Sequence, residues 1–431
     1  MSRADSQRYL KLLEFTEVRR RIESTFEAFE PSVEEIAVDR ALRRIAAEDV
    51  ISELEIPGQT VSAMDGYALR LSDLDGASPE VPRTFRIKGD LYPNSDANPV
   101  RVEGGEAVHV STGAPIPEGC DAVVRMEETR LLEGRVQVAR TVERWKNISL
   151  KGEDIHKGQL VLKKRKIIGP ADIALLIAVG RKRVKVFKDP VVGILSVGNE
   201  LRAFDPEEVE SLGHTTTNNY ANLLGGFLQE LGLEVRLAGI AKDDPSDIAA
   251  HLRKALKDAD AIITVGGSSV GQRDYTPDAV LLAGSEARTI FHGVKVVPIR
   301  PTGMAVVGGK PVIVVPGHSV SATLAFFEIV LPAINLLSGL SFGARQPSIR
   351  ARAKGSFSND RPLKALMLAR LERASNSRGE FMAVPLGWGS NMTSNLSLAH
   401  GFVRLASHET ITDGEEVEVR LLGTDVLSDV V

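Results

Sequence analysis

The sequence predicts a protein of several domains that combine the α/β and all-β classes. Its length of 431 residues corresponds to roughly three domains of average size. Residues 189–340 alternate apolar strand patterns with amphipathic helix patterns, which indicates a doubly wound parallel sheet covered by helices. Residues 59–150 and 342–431 instead hold short β-rich runs separated by glycine, proline and aspartate, which favours small all-β modules.

The first 188 residues are predicted to form a mixed domain that is interrupted by a β-rich one. Thr16 is a candidate cap for a helix in which Val18, Ile22 and Phe26 recur every four residues, and Asp39 is a candidate cap for a second helix. The predicted domains are 1–58 plus 151–188 (mixed, discontinuous), 59–150 (inserted β-rich), 189–341 (α/β) and 342–431 (C-terminal, a small barrel or sandwich).

The α/β stretch begins with a continuous apolar run at 191–197, the pattern of a strand that is covered on both faces. Further strands are predicted at 234–241, 261–265 and 311–315, and helices at 219–231, 245–256 and 320–337, the last interrupted at Pro332. In the β-rich regions the predicted strands are 107–111, 122–125, 135–139, 365–371, 381–385 and 416–422.

Charge and cysteine content restrict the classes of function. The chain carries 53 Lys and Arg against 57 Asp and Glu, a net charge of −4, which argues against a general nucleic-acid binder. Cys120 is the single cysteine, which excludes an intramolecular disulfide and a cysteine-ligated zinc or iron–sulfur site. The first twenty residues are studded with charged side chains, so we expect no export signal, no membrane span and a cytoplasmic location.

Each strand of the predicted parallel sheet ends in a polar or glycine-rich loop. Ligands of open α/β sheets bind at these strand ends, where backbone N–H groups and a helix N-terminus attract phosphate. Three carboxylates in the loops, Glu200, Asp243 and Asp274, are candidate ligands for a hard cation such as Mg²⁺. The candidate anion-binding residues are Gly266, Gly267, Ser268, Ser269, Pro316, Gly317 and Ser319.

These patterns also have simpler interpretations. A Gly-Gly-Ser-Ser loop is often only a tight turn, and Asp244 before Pro245 is equally typical of a helix cap. The segment Gly267-Ser268-Ser269-Val270-Gly271 also matches the G-x-S-x-G nucleophile elbow of α/β hydrolases. That motif needs a helix directly after its serine, whereas glycine and proline follow within eight residues, so the hydrolase is the weaker alternative.

Five segments, taken together, resemble those of the molybdenum insertases, the family of MoeA and the gephyrin E domain. Residues 62–68 read SAMDGYA, 112–124 read TGAPIPEGCDAVV and 152–155 read GEDI. Residues 266–275 read GGSSVGQRDY and 316–323 read PGHSVSAT. The segments follow the order of the family and span nearly the whole chain, and the first two are the most specific.

The resemblance implies an elongated homodimer of four-domain subunits whose last domain is a small β-barrel and whose α/β domain binds molybdopterin. It implies insertion of molybdate into adenylylated molybdopterin, with hydrolysis of the adenylate assisted by Mg²⁺, in a site shared between subunits. Asp65, Thr112, Asp154 and Arg300 would be catalytic, and Glu200, Asp243 and Asp274 would bind the metal. Ser321 and Ser390 would join the strand-end loops in binding the pterin substrate.

The sequence departs from the family at positions that face the anion. The usual Lys-Pro-Gly-Lys-Pro stretch is Arg300-Pro301-Thr302-Gly303-Met304, so the second lysine is replaced by Gly303. Lys295, Lys310 and His318 are candidates to compensate for that charge. An alternative is therefore a divergent paralogue that binds a pterin without catalysis or handles another oxyanion such as tungstate.

Overall fold

The computed structural model describes residues 12–95, 100–204, 216–267, 276–284, 286–374, 380–389, 392–423, 427 and 430. The chain divides into two compact units. The smaller unit consists of Glu35–Leu42 and Ala46–Val186, and the larger unit consists of Met1–Glu34, Arg43–Ile45 and Phe187–Val431. The four predicted domains do not simply subdivide these units, because residues 1–34 of the first predicted domain belong to the larger unit and most of its remainder belongs to the smaller one. Their boundaries stay predictions.

The helices of the α/β region lie close to their predicted positions. Asp244 caps one of them, because its carboxylate accepts hydrogen bonds from the N–H groups of Ser246 and Asp247, and Pro245 occupies the first turn. The helices are α1 (Phe15–Thr25), α2 (Pro170–Ala178), α3 (Tyr220–Glu230), α4 (Pro245–Ala255), α5 (Thr276–Leu282), α6 (Ser319–Ala325), α7 (Leu331–Leu337) and α8 (Thr393–Leu398).

Two helix predictions near the N-terminus are wrong in detail. The carbonyl of Glu14 accepts the N–H of Val18, so α1 begins directly after Glu14 and Thr16 lies inside the helix. Asp39 begins no α-helix, because Val38–Arg40 form only a 3-10 turn and a strand follows at Ile45–Ala46. Both residues of that strand are fully buried, so burial in a sheet outweighs the local helical pattern.

The long core helix is interrupted before Pro332, where the sequence placed the break. Phe326–Val330 form a π-helical turn between α6 and α7. Proline lacks an N–H and its ring crowds the carbonyl four residues earlier, so the regular ladder cannot pass through this turn. The segment Ser319–Leu337 is long and apolar enough to cross a membrane, with a mean hydropathy of 1.9, but 94% of it is buried inside the protein. It is the central helix of a core.

The smaller unit is built on a six-stranded sheet with the order β8-β5-β7-β6-β10-β9. The predicted strands at 107–111, 122–125 and 135–139 are confirmed as β7, β8 and β10. The strands up to residue 187 are β1 (Val33–Ala37), β2 (Ile45–Ala46), β3 (Val50–Ile51), β4 (Val61–Ser62), β5 (Gly66–Leu69), β6 (Arg83–Leu91), β7 (Glu106–Val110), β8 (Ala122–Arg125), β9 (Thr129–Leu132), β10 (Arg135–Val138), β11 (Ile148–Ser149), β12 (Leu160–Leu162) and β13 (Arg183–Phe187).

The larger unit contains the predicted α/β sheet and a C-terminal β domain. Each predicted strand of both regions is present within two residues of its expected bounds. The strands are β14 (Val192–Val197), β15 (Leu201–Arg202), β16 (Thr216–Thr217), β17 (Val235–Ala241), β18 (Ala261–Val265), β19 (Arg288–His292), β20 (Val296–Val297), β21 (Gly303–Val307), β22 (Lys310–Val315), β23 (Ser348–Ala353), β24 (Phe357–Ser358), β25 (Lys364–Arg373), β26 (Phe381–Pro385), β27 (Gly401–Leu405), β28 (Thr410–Ile411) and β29 (Glu416–Leu421).

The α/β sheet has the order β17-β14-β18-β22-β21-β19. The first four strands are parallel, as predicted, whereas β21 and β19 are additional and antiparallel. The turn between β21 and β22 explains the change of direction. It consists of Gly308 and Gly309, both with positive φ, and a two-residue turn of this kind joins antiparallel neighbours.

The sheet is doubly wound, because alternate residues of its strands enter two different cores. Ile194, Ile263 and Ile313 face the core that contains side chains of α3 and α6. Leu195 and Ile262 face the opposite core, formed with α4 and α5. Burial on both faces accounts for the continuous apolar runs of these strands.

The C-terminal strands form a closed barrel, which decides between the barrel and the sandwich. The order is β25-β26-β23-β29-β27, and β27 pairs again with β25 to complete the ring. The interior is lined by alternate residues such as Ala365, Met367, Val403 and Val419. Strand β20 pairs in parallel with β25 outside this ring. The predicted fold class is therefore confirmed.

Candidate functional site

The strand order of the α/β sheet locates a crevice. The chain passes from β14 to β17 on one side and returns across β14 to β18 on the other, which makes a topological switch point between β14 and β18. Ligands of open α/β sheets bind at the carboxyl ends of strands at such a point. Glycines follow both strands there, Gly198 after β14 and Gly266 after β18.

Chain segments approach each other closely at this crevice, and at Gly266 and Gly267 they leave no room for a Cβ. A Cβ at Gly266, whose φ is +93°, would lie 2.2 Å from the carbonyl oxygen of Val197. A Cβ at Gly267 would lie 2.4 Å from Oγ1 of Thr276, and one at Gly317 would lie 3.2 Å from Cα of Gly266. The structure thus brings together three of the predicted anion-binding residues from the ends of β18 and β22, with Pro316 beside them.

Tyr220 contacts the loop after β22 and was not identified from the sequence. Its hydroxyl donates a hydrogen bond to the carbonyl oxygen of Gly317, which joins the start of α3 to the loop after β22. Burial, and then the nearby Glu200 carboxylate, raise the pKa of Tyr220, so the hydroxyl keeps its proton and acts as a donor. A tyrosine at the first position of an amphipathic helix gives no local signal for such a contact.

Two of the three predicted metal ligands lie on neighbouring strand ends. The Asn199 N–H donates to Oδ2 of Asp243, and the Asp243 N–H donates to Oδ1 of Asn199, each at 3.1 Å. This reciprocal pair holds the loops after β14 and β17 together and places Glu200 next to them. Within the described ranges no group of three or more His, Cys, Asp or Glu residues is arranged to hold a metal ion. Asp274, Ser268, Ser269 and Ser390 lie outside the described residues.

The two predicted serines of α6 differ in their surroundings. Ser319 accepts a hydrogen bond at its Oγ from Oγ1 of Thr393, at 3.2 Å, which connects the loop after β22 to the segment that follows Ser390. Ser321 is 1% exposed and lies among the buried residues of α6. His318 is exposed at the cap position of the same helix.

Arg300 lies on the hairpin that joins β19 to β21. Hydrogen bonds from the N–H groups of Gly293 and Val294 to the carbonyls of Thr302 and Arg300 close this hairpin. Gly303 pairs with Val314 near the carboxyl end of β22, so the hairpin reaches the edge of the sheet that carries the glycine loops.

A neighbouring side chain occupies the space beside Gly303, the position at which the family usually has a second lysine. A Cβ at Gly303 would lie 2.9 Å from Cδ2 of His292. Two of the three side chains that are candidates to replace the missing positive charge bind other groups. Lys295 pairs with Glu14 at 2.9 Å. Lys310 donates to the carbonyls of Leu256 and Ala259, at the opposite end of its strand. The suggestion that Lys310 compensates is therefore wrong, whereas compensation by Lys295 or His318 stays a prediction.

A cavity of about 240 Å³ lies between this hairpin, the start of α6 and the barrel domain. Its wall includes Pro298 of the hairpin, Val320 of α6, and Arg361 and Trp388 of the barrel domain, with Gly389 next to Ser390. The guanidinium of Arg361 lies 4.5 Å from the Trp388 ring centre, and its buried Nη1 has no hydrogen-bond partner among the described residues. Neither residue was identified from the sequence, and Arg361 lies in Ser-Asn-Asp-Arg-Pro, which is typical of an ordinary turn.

In the smaller unit, Asp65 and Thr112 are in direct contact. The Thr112 N–H donates to Oδ1 of Asp65 at 2.7 Å, and the Thr112 hydroxyl lies 3.2 Å from the same oxygen. The sheet produces this contact, because Asp65 precedes β5 and Thr112 follows β7, and Gly66 pairs with Val110. Both side chains are exposed.

Asp154 lies on a different loop of the smaller unit. Its N–H donates to the carbonyl of Ile56, and the preceding turn depends on Gly152, whose φ is +73°. The side chain is exposed, and Lys151 of the same turn pairs with Glu55 at 2.9 Å. The hydrogen bond from the Asp154 N–H to Ile56 thus holds the backbone of Asp154 within this loop.

Cys120 is buried, and burial, together with Asp121, raises the pKa of its thiol to about 12. Because the thiolate is the reactive form, we expect no labelling of the folded protein by a disulfide reagent at pH 8, and rapid labelling after unfolding in urea. Thiol titration in both states measures this. Stoichiometric labelling of the folded chain within minutes would contradict the burial of this side chain.

Comparisons with known proteins assign the chain to a family. A model described as the MoeA N-terminal region (domain I and II) matches residues 13–180, the "Probable molybdopterin binding domain" matches 193–336, and the MoeA C-terminal region (domain IV) matches 350–422. A molybdopterin molybdenumtransferase of Staphylococcus aureus is 34% identical over 304 residues, which cover 70% of this chain and 71% of that protein. One from Staphylococcus epidermidis is 29% identical over 83% of each chain.

Solved structures agree with this assignment. A crystal structure of a molybdopterin biosynthesis MoeA protein from Pyrococcus horikoshii superimposes with a TM-score of 0.76 at 30% identity, covering 96% of this chain and 100% of that one. A second structure from the same organism gives a TM-score of 0.79 at 26% identity, covering 95% and 100%. The matching models, relatives and folds extend over the α/β, β-rich and barrel regions alike. The chain belongs to the MoeA family.

Proposed function

We propose that this chain inserts molybdate into adenylylated molybdopterin and hydrolyses the adenylate during insertion, as a molybdopterin molybdenumtransferase. The observation that carries the proposal is Arg361, which lines a cavity of about 240 Å³ and whose buried Nη1 lacks a hydrogen-bond partner among the described residues. A cavity of this size with a single guanidinium suits a small oxyanion, and its position beside the glycine loops suits an oxyanion that meets a phosphorylated ligand.

The residues of the larger unit have distinct tasks in this proposal. The loops of Gly266, Gly267, Ser268, Ser269, Pro316 and Gly317 bind the pterin substrate and its phosphates, with Ser319, Ser321 and Ser390 in the adjoining segments. Tyr220 holds the loop of Gly317 against the start of α3 through its hydrogen bond to the Gly317 carbonyl. Arg300 and Arg361 attract the oxyanion, and holding both substrates in one crevice supplies the proximity effect.

Mg²⁺ is part of the proposal, and Glu200, Asp243 and Asp274 are the residues that would hold it. The donor set fits, because Mg²⁺ prefers oxygen ligands and commonly uses one or two carboxylates together with substrate phosphates and water. When bound, the ion would neutralise charge on the phosphoanhydride. The Asn199–Asp243 pair orients one of these carboxylates in advance.

We further propose that the chain forms a homodimer and that the site is shared between its subunits. The protein works in the cytoplasm on small pterin and oxyanion substrates, and it binds neither nucleic acid nor a membrane. The inserted domain, 59–150, contributes Asp65 and Thr112, and the segment after it contributes Asp154. The contact between Asp65 and Thr112 supports their assignment to one group.

Gly303 favours one alternative within the same family, a paralogue that binds the pterin without insertion or prefers tungstate. Its neighbour His292 occupies the space into which a side chain at this position would extend, so the second cation of the family pattern is absent here. The nucleophile-elbow alternative has less support, since the helix that follows β18 in the described part of the chain begins only at Thr276.

A turnover assay tests the proposal. We expect the protein to release AMP from adenylylated molybdopterin when molybdate is added, and Asp65→Asn to lower that rate by about 100-fold, as is typical when a charged catalytic group is lost. The exposed Glu133→Gln, in the turn before β10 of the same sheet, is the matched control and should retain the full rate. Molybdopterin binding without AMP release would leave the binding-only paralogue, and release with tungstate alone would indicate the other oxyanion.

A further inference from the structure

We propose that Trp388 is a positioning residue that holds Arg361 ready for the oxyanion; this inference rests on the proposed function. The guanidinium carbon of Arg361 lies 4.5 Å from the centre of the Trp388 ring, within the range of a cation–π interaction. The aromatic face attracts the charge without using any N–H donor. The guanidinium is thereby fixed in place while its hydrogen-bonding capacity is kept for a ligand.

The backbone of Arg361 is anchored separately from its side chain. The Arg361 N–H donates to Oδ1 of Asn359, and the Arg361 carbonyl accepts from the N–H of His408. Asn359 is 1% exposed and donates to the carbonyls of Leu363 and Ala406, so the loop is rigid at the start of the side chain. Trp388 then restrains the far end. A long arginine side chain would otherwise lose much of its rotamer entropy on binding.

The cavity explains why such restraint matters here. Arg361 is the one charged residue among those described that line it, and the other lining side chains are apolar, including Val297, Leu368 and Leu386. Apolar walls cannot hold an anion, so inside this cavity the affinity depends on the orientation of the Arg361 guanidinium, while Arg300 acts from the hairpin outside the lining. With Gly303 in place of a second cation, no neighbouring lysine on the hairpin at that position shares this task.

The experiment measures equilibrium binding of molybdate to the full chain by calorimetry, with sulfate as a competing tetrahedral anion. Trp388→Leu should weaken molybdate binding about tenfold, which corresponds to about 1.4 kcal/mol and lies between the usual values for exposed and desolvated cation–π contacts. Trp388→Phe keeps an aromatic face and should stay within about threefold of the wild type. Arg361→Ala should abolish binding.

Trp145 supplies a matched control. It is the other tryptophan of the chain, it is 38% exposed like Trp388, and Arg144 lies 5.1 Å from its ring in the same kind of contact. Trp145→Leu should therefore bind molybdate as the wild type does. In Trp145→Phe the remaining fluorescence comes from Trp388, and we expect molybdate to change it only while Arg361 is present.

The outcomes separate the two proposals. If the wild type binds no molybdate, the oxyanion site itself is wrong, and the role of Trp388 fails with it. If the wild type binds, Arg361→Ala does not, and Trp388→Leu binds as tightly as the wild type, only the positioning role is overturned. Equal losses in the leucine and phenylalanine variants would also overturn it, because they would show that the aromatic face is not what matters. Unchanged thermal unfolding of the variants supports a local effect.

Discussion

Replacing Arg404 by methionine is expected to destabilise the larger unit by about 3–5 kcal/mol, the usual cost of leaving a buried charge without its partner. Glu328 lies in the π-helical turn of the core helix, and its side chain is 2% exposed. Arg404 of β27 donates to both of its carboxylate oxygens, at 2.6 and 2.7 Å. The midpoint of urea unfolding, followed by fluorescence, measures the loss.

The loss should depend on pH in a defined direction. Burial raises the pKa of Glu328, and the opposing effect of Arg404 is removed in the variant. A carboxyl group with a raised folded pKa contributes stability that is fully present below its unfolded pKa and is lost as the pH rises through the folded value. The deficit of Arg404→Met should therefore be larger at pH 8 than at pH 5.

A double variant provides the control for this experiment. In Glu328→Leu combined with Arg404→Met, the buried charge is gone together with its partner, and apolar replacement of a buried pair is often neutral. We expect the double variant to recover at least half of the lost stability. If Arg404→Met alone unfolds within about 1 kcal/mol of the wild type at pH 8, the pair is not important for stability.

The second large effect is expected for Gly66→Ala, in the segment that carries Asp65. A Cβ at this position would lie 2.2 Å from the carbonyl oxygen of Val124, so β5 must move away from β8. Overpacking of this kind costs about 1–3 kcal/mol. Asp65 is the adjacent residue, so its contact with Thr112 should also be displaced, and we expect turnover to fall by about 100-fold. Thermal unfolding and AMP release measure the two effects.

Gly89→Ala is the matched control, because Gly89 lies in β6 of the same sheet and a Cβ there would meet nothing within 4 Å. It should leave both stability and turnover nearly unchanged. Should Gly66→Ala retain the wild-type rate, the position of Asp65 would not depend on the close approach of β5 and β8, or Asp65 would not take part in the reaction.

The sequence predicted the parts of the site that depend on local pattern. Glycines that end buried strands and polar residues at one sheet edge follow from the parallel topology, and Gly266, Gly267, Gly317 and Asp243 lie where that topology requires. Arg361 was not predictable in this way. It reaches the cavity from a turn of the barrel domain, and such a contact between distant segments leaves no periodic signal in the sequence.

The antiparallel strands β19 and β21 could not be predicted from the sequence for a different reason. Each has five residues, and the turn after β21 is a pair of glycines, which is compatible with several topologies until the neighbouring strands are known. The sequence shows that Gly303 stands where the family has a lysine, but it does not show that the space for a side chain is already filled. The His292 side chain that fills the space comes from the paired strand, so only the register between β19 and β21 reveals it.

The closed ring of the barrel bears on how the protein is made. Strand β29, which ends at Leu421, pairs with β23, which begins at Ser348, and it also pairs with β27. A ribosome must therefore have released the chain through Leu421 before the ring can close. Until then the edges of β23 and β27 are open to pairing with other nascent chains. The wall that carries Arg361 and Trp388 is thus complete only after β29 has been synthesised and has paired with both of its neighbours.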